Sequence, residues 1–509
     1  MMVNMPTSDL LIGSDIGTLG TKSIACSVDG KVLAEDYMGY DIVTPKPGWA
    51  DFPMDKPLKA VCDTIKNVIA KGKIDPLNVR GLCISGLYGG SGVPVDEEMD
   101  EVRPCIPWLD TRAIKECDWA REKGLEKKIA DVTGNCIHPY WGWTKMLWIK
   151  NNEPKKWSRI KYLLTPNAYA IHQLTGKISL DYSSAGNYGG IWDIHKNAYA
   201  QDLMKDLGLP IHVFPPDVVK SAAVVGEIDA KGAMMCGLRK GTPVSAGGID
   251  APVEALSVGT FEIGEHTATI GTSMCHNIVQ DRSNMKLSPL LINYPYVADD
   301  TNKIYTFGGA ATAAAVINWF KEQFAKDKSF KELDELAAQI APGSDGIVVL
   351  PYWNGERTPI WDPFARGTIV GLSLFHTAAH VYRACLEGVA FSLKDNLETA
   401  KYIGAVLNDE MTLIGGGEKS NLWRQIFADI TGFKMRHVSM SYGAPLGDVL
   451  LAGVGNKLFD YKEIKKWIQV ADITPPNLEN AKKYEAYFGL YRKVYNAEKD
   501  TFKQLYAMQ

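Results

Sequence analysis

Apolar and polar positions near the start of the chain alternate as strands do. "LLIGSD" (Leu10 to Asp15) runs into a Gly/Thr turn, and "KSIACSV" (Lys22 to Val28) resumes the period of two beyond it. Asp29-Gly30 is a short hairpin signal, and "KVLAE" returns as a third strand. The period then changes: Leu58, Val61, Cys62, Ile65, Val68 and Ile69 share one helical face. "VRGLCIS" (Val79 to Ser85) predicts a buried strand ending at Gly86, and the polar, turn-rich stretch Leu174 to Gly190 predicts a loop near a cleft. Near residue 240 the order begins again. "TPVSAGGID" (Thr242 to Asp250) is a strand, two glycines and an acid, and "HTATIGTSMCHNIV" (His266 to Val279) is strand, Gly-Thr-Ser turn, strand. "LIGGGEKSNLWRQIFADITG" (Leu413 to Gly432) is a strand, a triple-glycine turn and a helix. Ser420 is its expected N-cap, Leu422, Ile426, Phe427 and Ile430 its apolar face, and Gly432 its stop. A last helix carries Tyr484, Tyr487, Phe488, Tyr491 and Tyr495 as a packing stripe. Strand and helix blocks alternating in this way predict an α/β protein. Two strand–Gly/Thr–strand units about 250 residues apart predict a duplicated fold.

The first hairpin carries candidate chemistry. It is not a P-loop, which needs its second glycine directly before the lysine; here Gly20 is followed by Thr21 and only then Lys22. It is not a dinucleotide fingerprint either, because a strand rather than a helix follows the glycines. Asp15, Gly17, Thr18 and Lys22 fit two readings: an ordinary Gly-rich hairpin, or a cradle of backbone N–H groups for phosphate beside a carboxylate that holds Mg²⁺ through water. The second hairpin, at Gly271 and Thr272, favours the cradle. Gly415, Gly416 and Gly417 before a helix let a flat ligand or phosphate approach the backbone.

Composition narrows the class. A chain of 509 residues exceeds what one core holds, which predicts two or more domains. Its net charge of −4 and lack of basic runs argue against a nucleic-acid surface. No charged n-region precedes a long apolar run at the N-terminus, and the uncharged stretch Ile304 to Phe320 falls short of the roughly 20 residues of a membrane helix. Nine scattered cysteines without a C-x-x-C pair predict free thiols in a reducing, cytoplasmic setting, and the nine histidines show no metal-ligand spacing.

Together the motifs resemble the FGGY family of carbohydrate kinases, its xylulokinase-like branch most of all, from Leu11 to about Tyr495. The matching segments, in order, are Asp15 to Lys22 (D-x-G-T-x-x-x-K), "PWLDTRA" (Pro107 to Ala113), "KMLWIKNNEP" (Lys145 to Pro154), "GGID" ending at Asp250, "GTS" (Gly271 to Ser273), "NGERTPIWDPFARGTIVGL" (Asn354 to Leu372) and "GGGEKSNLWRQIFADITG". The resemblance implies two ribonuclease-H-like (actin-like ATPase) domains flanking a central cleft. Residues 1–255 would carry the sugar site and first phosphate hairpin, and 256–509 the nucleotide site. It implies an ATP-dependent kinase acting on a hydroxyl of a small sugar or sugar alcohol. Asp250 would be the catalytic base and touch the substrate, and Asp15 would hold Mg²⁺. Gly17, Thr18 and Lys22 would face the phosphates from one side, and Gly271 and Thr272 from the other. Gly415, Gly416, Gly417 and Asn421 would line the adenosine end, and Tyr88, Gly89, Trp108, Asp110 and Arg112 would contact the sugar. Plainer roles stand beside these: Asp250 as a helix N-cap, Asp110–Arg112 as a surface salt bridge, Tyr88 as packing. The expected partners are ATP, Mg²⁺ and a sugar or polyol, with no nucleic acid or membrane and room for a homodimer. A sugar-acid (gluconate-type) kinase and a catalytically silent sensor remain alternatives.

The chain departs from the branch at named places. "GLYGG" (Gly86 to Gly90) stands for Gln-Met-His-Gly, so Tyr88-Gly89 replaces Met-His. Ala251 follows Asp250 in place of Asn or Gln, Ala168 and Gly142 replace usual residues, and "YGAPLGD" (Tyr442 to Asp448) replaces E-x-x-A-L-G-A. The phosphotransfer motifs are intact and the sugar-recognising ones altered. Glu356-Arg357 lies in a strongly patterned loop without an assigned role.

Overall fold

A computed structural model describes residues 9–87, 90–439 and 441–508. Strands β1 (Leu10–Ile16), β2 (Gly20–Ser27) and β3 (Val32–Gly39) form an antiparallel meander. Strands β4 (Val79–Gly86) and β5 (Pro243–Ser245) extend it in parallel on the other side of β1, and Val224–Glu227 closes the edge. The sheet order is thus Val224–Glu227, β5, β4, β1, β2, β3. The second sheet repeats it. Strands β6 (His266–Ile270), β7 (Met274–Asp281) and β8 (Lys303–Ala310) form the meander, and β9 (Glu410–Ile414) and β10 (Lys434–Val438) run parallel to β6. Ile292–Pro295 and Val470–Thr474 add its two edges. Third, second, first, fourth, fifth is the core order of both sheets, so the duplication read from the two hairpins is a duplication of whole ribonuclease-H-like sheets.

The strand period assigns faces. Leu10, Ile12 and Ile16 meet Val61, Ile65 and Val68 of helix α1 (Asp55–Lys71). Leu11 and Cys83 point the other way, into a core shared with helices α2 (Asp250–Ser257) and α5 (Ala444–Gly455). Asp15 has the parity of Leu11 and so projects to that second face. Gly13 makes the approach possible, because a Cβ there would lie 1.9 Å from the Pro445 carbonyl oxygen. In the second half, α3 (Ala378–Tyr402) and α4 (Asn421–Thr431) pack together, and α6 (Leu478–Ala507) covers them with Tyr484, Phe488 and Tyr491 as the packing stripe expected of it. Ser420 caps α4 by accepting from the Trp423 N–H at 3.0 Å, and Gly432 ends it at φ 80°.

One stretch differs from expectation. Leu174 to Gly190 is not a loop: it contains a short strand (Leu180–Asp181) and a buried helix (Tyr182–Asn187). Asp181 caps that helix through the Ser184 N–H and takes the hydroxyls of Ser183 and Ser184. The polar residues satisfy one another, which allows their burial. All nine cysteines are free, seven of them buried. Among the described residues, no helix is long and apolar enough to cross a membrane.

Candidate active site

Three parallel strands end at one place, the position where open α/β sheets bind ligands. Asp15 lies near the end of β1, Ser85 near the end of β4, and Asp250 opens α2 just beyond β5. Gly247, at φ 71°, lets that turn press on β4, where a Cβ would come 1.9 Å from the Ile84 carbonyl oxygen. Asp250 is the first helical residue rather than the N-cap, which is Ile249. Among the described residues its carboxylate accepts the N–H of Ala251 in the helix turn, at 2.7 Å, and Asp250 is half-buried. Glu254, one turn on, accepts from Thr269 Oγ1 of β6 at 3.3 Å and so joins α2 to the second sheet.

Burial raises all of these acids, and the Asp15 charge raises its neighbours further. Burial pushes Asp15 up to about 6 against a hydrogen bond from Ser85. Burial, then the Asp15 charge, pushes Glu254 up to about 7. Asp250 is held well above the usual carboxylate range by burial first, then by Asp15 and Glu254. Asp448 of α5 is likewise held well above it by burial, with Asp15 adding. Such a cluster calls for a cation. Among the described residues, however, no three His, Cys, Asp or Glu side chains are arranged to hold a metal by themselves.

Lys22 lies opposite Asp15 in register, yet its ammonium pairs with Glu35 at 2.9 Å. Thr18 accepts from the Trp108 indole N–H at 3.3 Å, and the Gly17 N–H bonds the Gly20 carbonyl to close the turn. Trp108 therefore brings its loop against the first hairpin. Lys145 anchors that loop from below: fully buried, it donates to the carbonyls of Pro139, Tyr140 and Trp108 at 2.6, 2.9 and 3.5 Å. Burial draws its ammonium down to about 8.

Asp110 and Arg112 are not at the surface and not in the cleft. Their side chains are 0% and 1% exposed and bond each other at 2.9 Å. Arg112 also holds Asp51 and the Ala50 carbonyl, its guanidinium lying 4.3 and 5.0 Å from the rings of Trp49 and Trp148. The surface salt bridge expected of this pair is thus a buried one. Tyr88 and Gly89 lie outside the described residues.

On the other side, a cavity of about 850 Å³ opens beside the second hairpin. Gly271, Thr272, Gly416, Gly417 and Asn421 line it, with Ile317, Tyr382 and Leu422 as apolar walls. Gly415 supports rather than lines it: at φ 94°, a Cβ would lie 2.6 Å from the Ile270 carbonyl oxygen. Of the patterned Glu356-Arg357 pair, Glu356 is buried and accepts the N–H groups of Ala311 and Arg357 at 2.6 and 2.8 Å. Arg357 reaches to 5.8 Å from the Trp108 ring and donates to the Ala310 carbonyl at 3.0 Å. Sequence reasoning passed over Glu254, Ser85, Lys145 and Asp448. Glu254 was recoverable, since four residues after Asp250 on a helix is the same face.

Comparison with known proteins agrees with this geometry. Residues 10–257 match the N-terminal domain of the FGGY family of carbohydrate kinases, and residues 267–455 match its C-terminal domain. A xylulose kinase of Staphylococcus epidermidis is 30% identical over 502 residues, spanning 96% of this chain and 97% of its own. Crystal structures of a ligand-bound xylulose kinase and of a gluconate kinase, both from Lactobacillus acidophilus, each superpose with a TM-score of 0.91 at 25% identity, over 97% of this chain and 99% of theirs. The two-domain α/β fold is therefore the actin-like ATPase fold of those kinases, and the chain is a sugar kinase belonging to the FGGY family of carbohydrate kinases.

Proposed function

We propose that the protein transfers the terminal phosphoryl group of ATP to a hydroxyl of a small ketose or polyol of the xylulose type, with residues 1–255 holding the acceptor and 256–509 the nucleotide. The observation that carries this reading is the convergence of Asp15, Ser85 and Asp250 at three parallel strand ends, with the second hairpin against α2. Phosphoryl transfer asks for positioning, charge neutralisation and a base. Asp250 supplies the base. Burial and the neighbouring acids hold its carboxyl above the usual carboxylate range, which makes it a stronger proton acceptor than a free carboxylate. The cavity at Gly416 and Gly417 takes the adenosine, and Asn421 sits at the N-terminus of α4 where an anion is favoured. Gly17 and Thr18 meet the phosphates from the first hairpin, and Lys22 meets them on release from Glu35. Mg²⁺, when bound, supplies charge neutralisation at the phosphates, and Asp15 is the residue to hold it through water. A single carboxylate completed by water and phosphate oxygens suits this ion, which seldom uses an all-protein cage. Trp108 offers an apolar face to the acceptor, while Asp110 and Arg112 shape its loop from beneath. Tyr88 and Gly89, in place of Met-His, are proposed to set acceptor preference.

A sugar-acid acceptor is the second reading, favoured by the equally close likeness to a gluconate kinase. One experiment separates the two: ADP release from ATP–Mg²⁺ measured across ketoses, polyols and aldonates. Ketose- or polyol-dependent release is expected. Release with aldonates alone moves the acceptor to the acids, and release with none of them refutes the kinase reading.

A further inference from the structure

Asp448 stands in α5, and its side chain is fully buried. Its Oδ2 lies 2.7 Å from Ser85 Oγ, and the same Oγ lies 3.1 Å from Asp15 Oδ1. The Cys83 thiol donates to Asp448 Oδ1 at 3.4 Å. A serine hydroxyl has one proton, so it donates to only one of two carboxyl groups. For both contacts to be hydrogen bonds, the other carboxyl is protonated and donates to the hydroxyl oxygen. Among the described residues, the titratable groups that act on Asp448 are an acid and a thiol, Asp15 from β1 and Cys83 from β4, and the adjoining α2 adds the acids Asp250 and Glu254. The cation opposite Asp15 in register, Lys22, is engaged by Glu35. Asp15 is partly open to the cleft and Asp448 is not.

We propose that Asp448 is a neutral carboxylic acid that donates to Ser85 Oγ, which commits the only Ser85 hydroxyl proton to Asp15 Oδ1 and fixes the orientation of the Asp15 carboxylate. Asp448 is thus a positioning residue: it acts on the phosphate side of the site through two hydrogen bonds and touches no ligand. The part concerning Asp15 rests on the kinase reading above.

The test pairs Asp448→Asn with Asp448→Ala and Ser85→Ala. An amide still donates to Ser85 Oγ and accepts from Cys83, so D448N is expected to fold and to keep turnover and the KM for ATP within about twofold of wild type. D448A and S85A free the Asp15 carboxylate and are expected to lose roughly 10–100-fold in kcat/KM, as supporting hydrogen-bond partners do. A second readout needs no substrate. A carboxyl that is neutral when folded, and titrates near 4 when unfolded, makes the folded state bind the extra proton. Stability from that group is full below pH 4 and is lost as pH rises above it. The melting temperature of ligand-free wild type should therefore fall relative to D448N between about pH 4 and pH 8. A flat difference overturns the neutral acid, as does a D448N protein that fails to fold or loses activity as D448A does. Wild-type kinetics in both D448A and S85A overturn the positioning role. Should no acceptor be phosphorylated at all, the kinase reading fails while the melting comparison still decides the protonation of Asp448.

Discussion

Arg112 shows how a residue of a recognition motif serves the site without entering it. Its guanidinium lies between Trp49 and Trp148 and bonds Asp110, Asp51 and the Ala50 carbonyl, so it ties the loop carrying Trp108 to the segment before α1. Removing one member of a buried pair leaves the other charged and uncompensated, at a cost of about 3–5 kcal/mol. Arg112→Ala should lose that much in denaturant unfolding; a loss under about 1 kcal/mol would mean that the pair is not structural. The sequence placed Asp110 and Arg112 together correctly, but their burial depends on Trp49 and Trp148, which are distant in the chain on either side, and no spacing rule conveys that. The resemblance singled out Asp250, and the two glycines before it let it project towards the strand ends. Its place as first helical residue was not legible, because an acid at the N-cap and one at the next position read alike. Asp448 stood out only as a departure from E-x-x-A-L-G-A: its meaning comes from Ser85, which strand β4 brings to it.

At the scale of elements, the strand–glycine–helix unit from β9 to α4 forms the floor of the cavity, and its glycines do different work. Gly415 holds a left-handed backbone against β6, whereas a Cβ on Gly416 meets nothing within 4 Å and would project into the cavity. Gly415→Ala should therefore lower the melting temperature and Gly416→Ala should not. Gly416→Ala should instead raise the KM for ATP several-fold, on the order of 1 kcal/mol of lost approach, with kcat little changed. Thermal melts beside ATP saturation curves check both, and an unchanged KM in Gly416→Ala would move the nucleotide away from this wall. This unit was readable in detail, cap to cap, because its signals are local. The helix Tyr182–Asn187 was not, since its polar residues are buried by bonding Asp181 and one another, and a hydrophobic period cannot show that.

For the whole molecule, the sequence showed two like halves through their hairpins, but not how they are joined. Helix α5 comes late in the chain and packs on the first sheet, where Gly13 accommodates Pro445 and Val253 of α2 receives Gly447. Contacts so distant in sequence leave no local pattern. With ligand sites at the strand ends of both sheets, binding of acceptor and nucleotide should rotate the halves together and exclude water from the phosphate. Small-angle scattering should show a smaller radius of gyration with both ligands than with neither; identical profiles would count against closure. In the proposed reaction Asp250 takes the proton of the attacking hydroxyl. The most direct test of that step is turnover and ATP affinity, measured separately on folded Asp250→Asn protein. Turnover should fall about 10²–10⁴-fold, the usual contribution of a general base, with ATP affinity close to wild type. Wild-type turnover in that variant would contradict this role of Asp250.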